Sequence, residues 1–135
     1  MTRNFLPAFS STCLLTFFST VGLGHHSVPI HYDMDSEISF TGKILESGMR
    51  NPHARLILEV TNEDGSTYKV MAEMAGKSTM MRRNMPWDAL KVGEIVTVRG
   101  LKHRTLDRIL YIRKYVLSDG TEHTFQRTSG AGVVD

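Results

Sequence analysis

Polar and apolar positions alternate with a period of two through most of the chain after residue 36, and that period predicts strands. In Glu37–Glu46, Ile38, Phe40 and Ile44 fall on one face with Gly42 between them. A glycine inside a strand marks a bulge or a sharp bend. Ala54–Thr61 places Ala54, Leu56, Leu58 and Val60 on one side. Asn62-Glu63-Asp64-Gly65 then reads as a hairpin turn. Ser66–Met74 returns with Tyr68, Val70, Ala72 and Met74 on one face. Glu94–Leu101 and Arg108–Leu117 supply two more strands, and the alternation puts Ile109, Tyr111, Tyr115 and Leu117 on one face of the second. Ser118-Asp119-Gly120 turns into a short return over Thr121–Phe125.

The period changes once. Ser78 or Thr79 is placed to cap a short helix through Met80, Met81, Arg82 and Arg83, closed before Pro86. The order is three strands, one short helix, two strands and a trailing hairpin arm. An all-β chain with a bent, glycine-containing first strand and a helix between the third and fourth strands predicts an OB-like five-stranded Greek-key barrel. A small β-sandwich is the alternative. Closure into a barrel has the further merit of hiding strand edges.

A different pattern precedes the strands. Arg3 is the one charged side chain among residues 1–24, Phe5–Phe18 is apolar but short, and Gly22 and Gly24 stand at the −3 and −1 positions of a cut. That layout is a secretory signal peptide. A spanning helix needs about 20 predominantly apolar residues, so no membrane span is expected after cleavage. The expected organisation is a signal peptide over 1–24, an N-terminal arm over 25–36, the barrel over 37–125 and a flexible tail over 126–135. Export follows, with the periplasm as the expected address in a host with two membranes. Cys13 is the sole cysteine and leaves with the leader. The mature domain is therefore stabilised by packing, without a disulfide.

Sixteen Lys and Arg oppose 14 Asp and Glu, for a formal charge of +2. This is a mild excess, not the charge of a polyanion-binding surface. Arg82, Arg83, Arg99, Lys102, Arg104, Arg108, Arg113 and Lys114 nevertheless make the second half basic, and Tyr111 and Tyr115 offer rings for stacking. Export argues against a nucleic-acid partner. It leaves acidic lipids, envelope polymers, an acidic protein or a small molecule in the cell envelope. Ala75-Gly76-Lys77-Ser78-Thr79 ends like a phosphate-binding loop, but Met71 stands where the first glycine is required. There is no Gly-x-Ser-x-Gly elbow, and no cysteine nucleophile survives cleavage. The chain lacks a complete catalytic set and reads as a non-enzymatic binding or accessory module.

One chemistry stands out against this background. Cleavage after Gly24 makes His25 the new N-terminus, so its α-amine and imidazole come within chelating reach of one cation. Such nitrogens suit Cu(II) in tetragonal geometry. His53 is the best distant partner, because Pro52 holds the backbone before it and it opens a strand. His26 and His31 are nearer in sequence. The three-residue copper motif needs a histidine at mature position three, where Ser27 stands. The candidate metal site is therefore His25, His26 and His53, with copper as the candidate cofactor. Of eight methionines, Met71, Met74, Met80, Met81 and Met85 cluster. They read as core filler before they read as soft copper ligands. His103 and His123 read as surface residues.

The order of motifs also carries a resemblance. His25-His26-Ser27 follows the leader, Phe40-Thr41-Gly42 lies in the first strand and Asn51-Pro52-His53 opens the second. Met80-Met81-Arg82-Arg83 precedes Trp87-Asp88-Ala89-Leu90-Lys91-Val92-Gly93, and Leu101 follows Val-Thr-Val-Arg-Gly. Together these resemble a family of small exported bacterial proteins classed as a domain of unknown function, across roughly the whole mature chain. The resemblance implies export and the extent of the domain. It implies no mechanism.

Overall fold

The computed structural model describes residues 28–125. The expected leader, His25, His26 and the expected tail lie outside the described residues. A short helix, α1 (Val28–His31), leads into a long strand, β1 (Tyr32–Gly48). Then come β2 (His53–Thr61), β3 (Thr67–Ala75), α2 (Lys77–Arg82), a single 3-10 turn (Trp87–Ala89), β4 (Ile95–His103), β5 (Ile109–Leu117) and β6 (Glu122–Thr124). β1 thus begins inside the stretch expected to be an arm.

The sheet order is β3-β2-β1-β4-β5-β6, with a second pairing of β3 to β5. That pairing is parallel and matches Met71, Ala72 and Glu73 with Ile109, Leu110 and Tyr111. It closes five strands into an OB-like barrel, the architecture the sequence predicted. β1 serves both neighbours: Glu37–Lys43 pair with β4, and Lys43–Gly48 pair with β2. Gly42 sits at this handover. A Cβ there would lie 2.5 Å from the Glu59 carbonyl oxygen, so only glycine lets the strands approach.

The inward faces of β2 and β3 are those the alternation gave. Ala54, Leu56, Leu58, Val70, Ala72 and Met74 are fully buried, and Val60 nearly so. Met80 on α2, Met85 and Leu90 plug one end of the barrel. Met81 is exposed and Met71 faces outward, so only part of the methionine cluster is core filler. α2 begins at Lys77, without a side-chain cap from Ser78 or Thr79. Asn51, in the β1–β2 loop, supplies the cap. Its Oδ1 accepts from the Ser78 N–H at 2.9 Å, and its Nδ2 donates to Ser78 Oγ at 2.7 Å. Asn84, at φ 51°, turns the chain out of the helix before Pro86.

β5 departs from simple alternation. β4 and β5 pair Arg99 with Lys114 and then Gly100 with Ile112, which leaves Arg113 as an extra residue. This bulge shifts the inward set from Leu110 and Ile112 to Tyr115. Tyr111 and Tyr115 therefore do not share a face. Tyr115 is fully buried, and its hydroxyl has no hydrogen-bond partner among the described residues. Burial, with the Asp88 charge, pushes that hydroxyl up to about 12. His123 packs its ring 5.0 Å from the Tyr115 ring and is half-buried, not a free surface residue.

Gly100 makes the bulge possible, because a Cβ there would collide with the Tyr111 carbonyl oxygen. Gly100→Ala is expected to lower unfolding free energy by about 3 kcal/mol, at the upper end for overpacking against backbone. Urea denaturation measures it, and an unchanged midpoint would show that the strands have room to spare there.

Candidate functional site

Residues that face outward on the closing strands form the floor of a cavity. Because Val70, Ala72 and Met74 point inward on β3, Met71 and Glu73 point out; because Leu110 and Ile112 point inward on β5, Ile109 and Tyr111 point out. The parallel register sets Met71 beside Ile109 and Glu73 beside Tyr111. The start of β1 lies across this seam. Tyr32 is 4% exposed there and donates its hydroxyl to Glu73 Oε2 at 2.7 Å.

Histidines complete the walls of this cavity of about 420 Å³. His31 stacks on His103 at 6.3 Å between ring centroids, and His103 meets the edge of Tyr32 at 5.3 Å. Tyr32 lies 5.6 Å from Tyr111, and His53 meets Tyr111 edge-on at 6.4 Å. Five rings thus form one continuous wall, drawn from α1, β1, β2, β4 and β5. His103 was expected at the surface. It instead lines the cavity at the end of β4, where it anchors the following turn. Its Nδ1 accepts from the backbone N–H groups of Leu106 at 3.2 Å and Thr105 at 3.3 Å. An accepting Nδ1 puts the proton of the neutral ring on Nε2. His103 therefore presents a hydrogen-bond donor rather than a metal-binding lone pair.

The phenols are held neutral. Burial, then the hydrogen bond to Glu73 and that residue's charge, raise Tyr32 well above the usual phenol range. Burial likewise raises Tyr111, helped by the Glu73 charge and opposed by Arg83. Glu73 accepts the Tyr32 proton donor and fixes its ring, so the cavity holds preset donors and one carboxylate.

His53 is exposed on the cavity rim. The Asn51 clasp on α2 and a hydrogen bond from Lys77 N–H to the Arg50 carbonyl at 3.1 Å hold the loop before it. The Asn51–Pro52 bond is cis. Its proposed partners, His25 and His26, lie outside the described residues. Among the described residues, no three His, Cys, Asp or Glu side chains are arranged to hold a metal ion. His31, His103, Met71 and Glu73 converge on His53's cavity only because the barrel closes there, which local spacing does not reveal.

A second, larger groove of about 690 Å³ adjoins the first and shares Val28 and Tyr111 with it. Arg83, Arg99, Arg113 and Lys114 line it, together with Glu37. Glu37 bridges Arg99 at 2.9 Å and Arg113 at 3.5 Å, and Lys114 pairs with Glu122 at 3.0 Å. The rest of the basic half points elsewhere. Lys102 pairs with Asp107, Arg104 bonds the Pro29 carbonyl and Arg108 covers the Tyr68 ring. No helix among the described residues is long and apolar enough to cross a membrane.

A family model described as a family of unknown function (DUF6152) matches residues 14–109, most of the chain, and the chain belongs to that family. No curated protein matches it. Among solved structures, it resembles Rim1, a mitochondrial single-stranded DNA binding protein from S. cerevisiae. The two are 18% identical over 62% of this chain and 93% of that one, with a TM-score of 0.48. The N-terminal domain of the PriB protein from Thermoanaerobacter tencongensis is 19% identical over 60% of this chain and 93% of its own, with a TM-score of 0.43. These likenesses concern the fold.

Tyr32→Phe is expected to cost about 1.5–3 kcal/mol near neutral pH, the worth of a hydrogen bond to a charged group. The folded state raises the Tyr32 phenol above its unfolded value near 10. Its stabilisation is therefore complete below about pH 10 and is lost as pH rises past that point. Denaturation from pH 7 to 12 should show a shallower alkaline decline in the variant than in the parent. Parallel declines would show that Tyr32 is not the group being titrated.

Proposed function

From membership of that family and the geometry above, we propose that the chain is a small exported, non-enzymatic binding module whose ligand seats in the ring-lined cavity over the β3–β5 seam. One observation carries this reading: five rings, a thioether and a carboxylate from six elements converge on one cavity of ligand size. Strands rather than loops hold most of these groups, which favours fixed geometry over adaptation. The leader pattern over residues 1–24 supports export, with the periplasm or cell envelope as the working compartment.

A metal-binding form of this reading is favoured by His53 on the cavity rim and by Val28 in its wall. Residue 25 precedes Val28 by three positions, a chain reach of roughly 10 Å. After cleavage, the α-amine and imidazole of His25 would join His53 on one Cu(II), with His26 as a further nitrogen donor. Met71 offers the same cavity a soft donor suited to Cu(I).

The test uses mature protein starting at His25, titrated with Cu(II) and followed by its visible d–d band and by NMR of the cavity amides. The metal form is expected to bind one equivalent and to weaken at least about tenfold on His53→Ala or on adding one residue before His25, each removing a nitrogen donor. Weak binding indifferent to both changes would eliminate copper and leave the binding-module reading. That reading in turn requires small-molecule fragments to shift Glu73, Tyr111 and His53 first. Fragment shifts clustered elsewhere would remove the cavity as the ligand site.

A further inference from the structure

We infer that the basic groove beside β4 and β5 is a binding site for a phosphate group, with Glu37 as an internal counter-ion that the ligand displaces. The inference stands apart from the reading of the ring-lined cavity.

The bulge is the first support. Without the extra residue, Arg113 and Lys114 would point to opposite faces of β5. With it, Arg99, Arg113 and Lys114 all line one groove across two paired strands. Like charges set side by side on a sheet are destabilising. A bulge that gathers them, permitted only by Gly100 on the facing strand, therefore works against the stability of the free protein. Bulges recur next to binding sites because they re-aim side chains.

The second support is how the charge is balanced. Glu37 reaches across from β1 with Oε2 at 2.9 Å from Arg99 Nε and Oε1 at 3.5 Å from Arg113 Nη1. A single carboxylate is thus divided between two guanidinium groups, and the longer bond is at the limit of hydrogen bonding. Each guanidinium has five donors in a planar fork that matches phosphate oxygens. A phosphate carries more oxygens and more charge than Glu37 and satisfies both forks at once. The Arg99 side chain is 57% exposed and Glu37 34% exposed, so the bridge is open to exchange. Lys114 already holds Glu122 and contributes field more than contact.

The third support is size and lining. About 690 Å³ is far more than a phosphate fills, and Tyr111 and Phe125 add aromatic wall. The ligand is a phosphate-bearing molecule with an organic portion, either soluble or a lipid headgroup.

The experiment titrates the purified chain with inorganic pyrophosphate at low salt, by calorimetry and NMR. Saturable binding is expected, with shifts centred on Arg99, Arg113 and Lys114. Glu37→Gln should tighten binding about tenfold by removing the competitor, and Arg113→Gln should weaken it about tenfold, typical of charge pairs across a partly desolvated contact. A gain of affinity does not arise from misfolding, so Glu37→Gln decides the matter even if the arginine variant is unstable. Absence of saturation at millimolar pyrophosphate, or an affinity unmoved by Glu37→Gln, overturns the inference. Co-sedimentation with phosphatidylglycerol but not phosphatidylcholine vesicles, reversed by pyrophosphate, assigns a lipid source. No co-sedimentation assigns a soluble phosphate ligand, and either result keeps the phosphate site.

Discussion

The parallel contact of β3 with β5 is the constraint on which the rest of the molecule depends. It spans only three residue pairs, with Met71 N–H donating to the Arg108 carbonyl at 2.9 Å at its edge. So short a ladder does not hold itself together. Beneath it, Ala72 and Leu110 are fully buried in the barrel core. Above it, Tyr32 is buried against the Tyr111 ring and ties itself to Glu73. Apolar burial on one face and a buried phenol on the other clamp two strand edges that would otherwise present unpaired backbone groups. The same clamp makes the candidate site. Remove the closure and Met71, Glu73, Ile109 and Tyr111 become scattered outward residues on two separate edges.

Two non-local devices then decide where the chemistry goes. Asn51 caps α2 from 27 residues away and so ties the loop before His53 to the helix that plugs the barrel. Gly100 allows the β5 backbone to bulge toward β4, and the extra residue, Arg113, comes to line the same groove as Arg99 and Lys114. The two cavities that result share Val28 and Tyr111. One offers neutral donors, imidazoles and a carboxylate; the other offers fixed positive charge.

Much of the barrel was legible in the sequence, because β2 and β3 alternate cleanly and their inward residues follow from period two. Gly42 was legible as a special position in the strand, where a bulge or bend was expected; the structure shows instead a close approach to the Glu59 carbonyl, and the irregularity of β1 against β2 falls between Ile44 and Glu46. The face of β5 was misread beyond Ile112. One inserted residue reverses every later side chain, and its only trace is a glycine on the neighbouring strand. The cap of α2 was misassigned to Ser78 or Thr79, because capping rules are local and Asn51 acts at a distance. His103 looked like a surface residue for a similar reason: its role depends on which strand ends meet at the seam. His53 was legible as a candidate from Pro52 and its place at a strand start. Its neighbours Tyr32, Met71, Glu73 and Tyr111 became visible only with the closed fold. Whether His25 and His26 join them concerns residues outside those described.

The most direct test of this account is a nuclear Overhauser spectrum of the folded, labelled protein, read for contacts between β3 and β5. The account predicts cross-peaks linking Met71 with Ile109 and Glu73 with Tyr111, together with contacts from the Tyr32 ring to both Glu73 and His103. A spectrum in which the antiparallel pairings are intact but those cross-peaks are missing would describe an open sheet. The seam, and the cavity built on it, would then not exist.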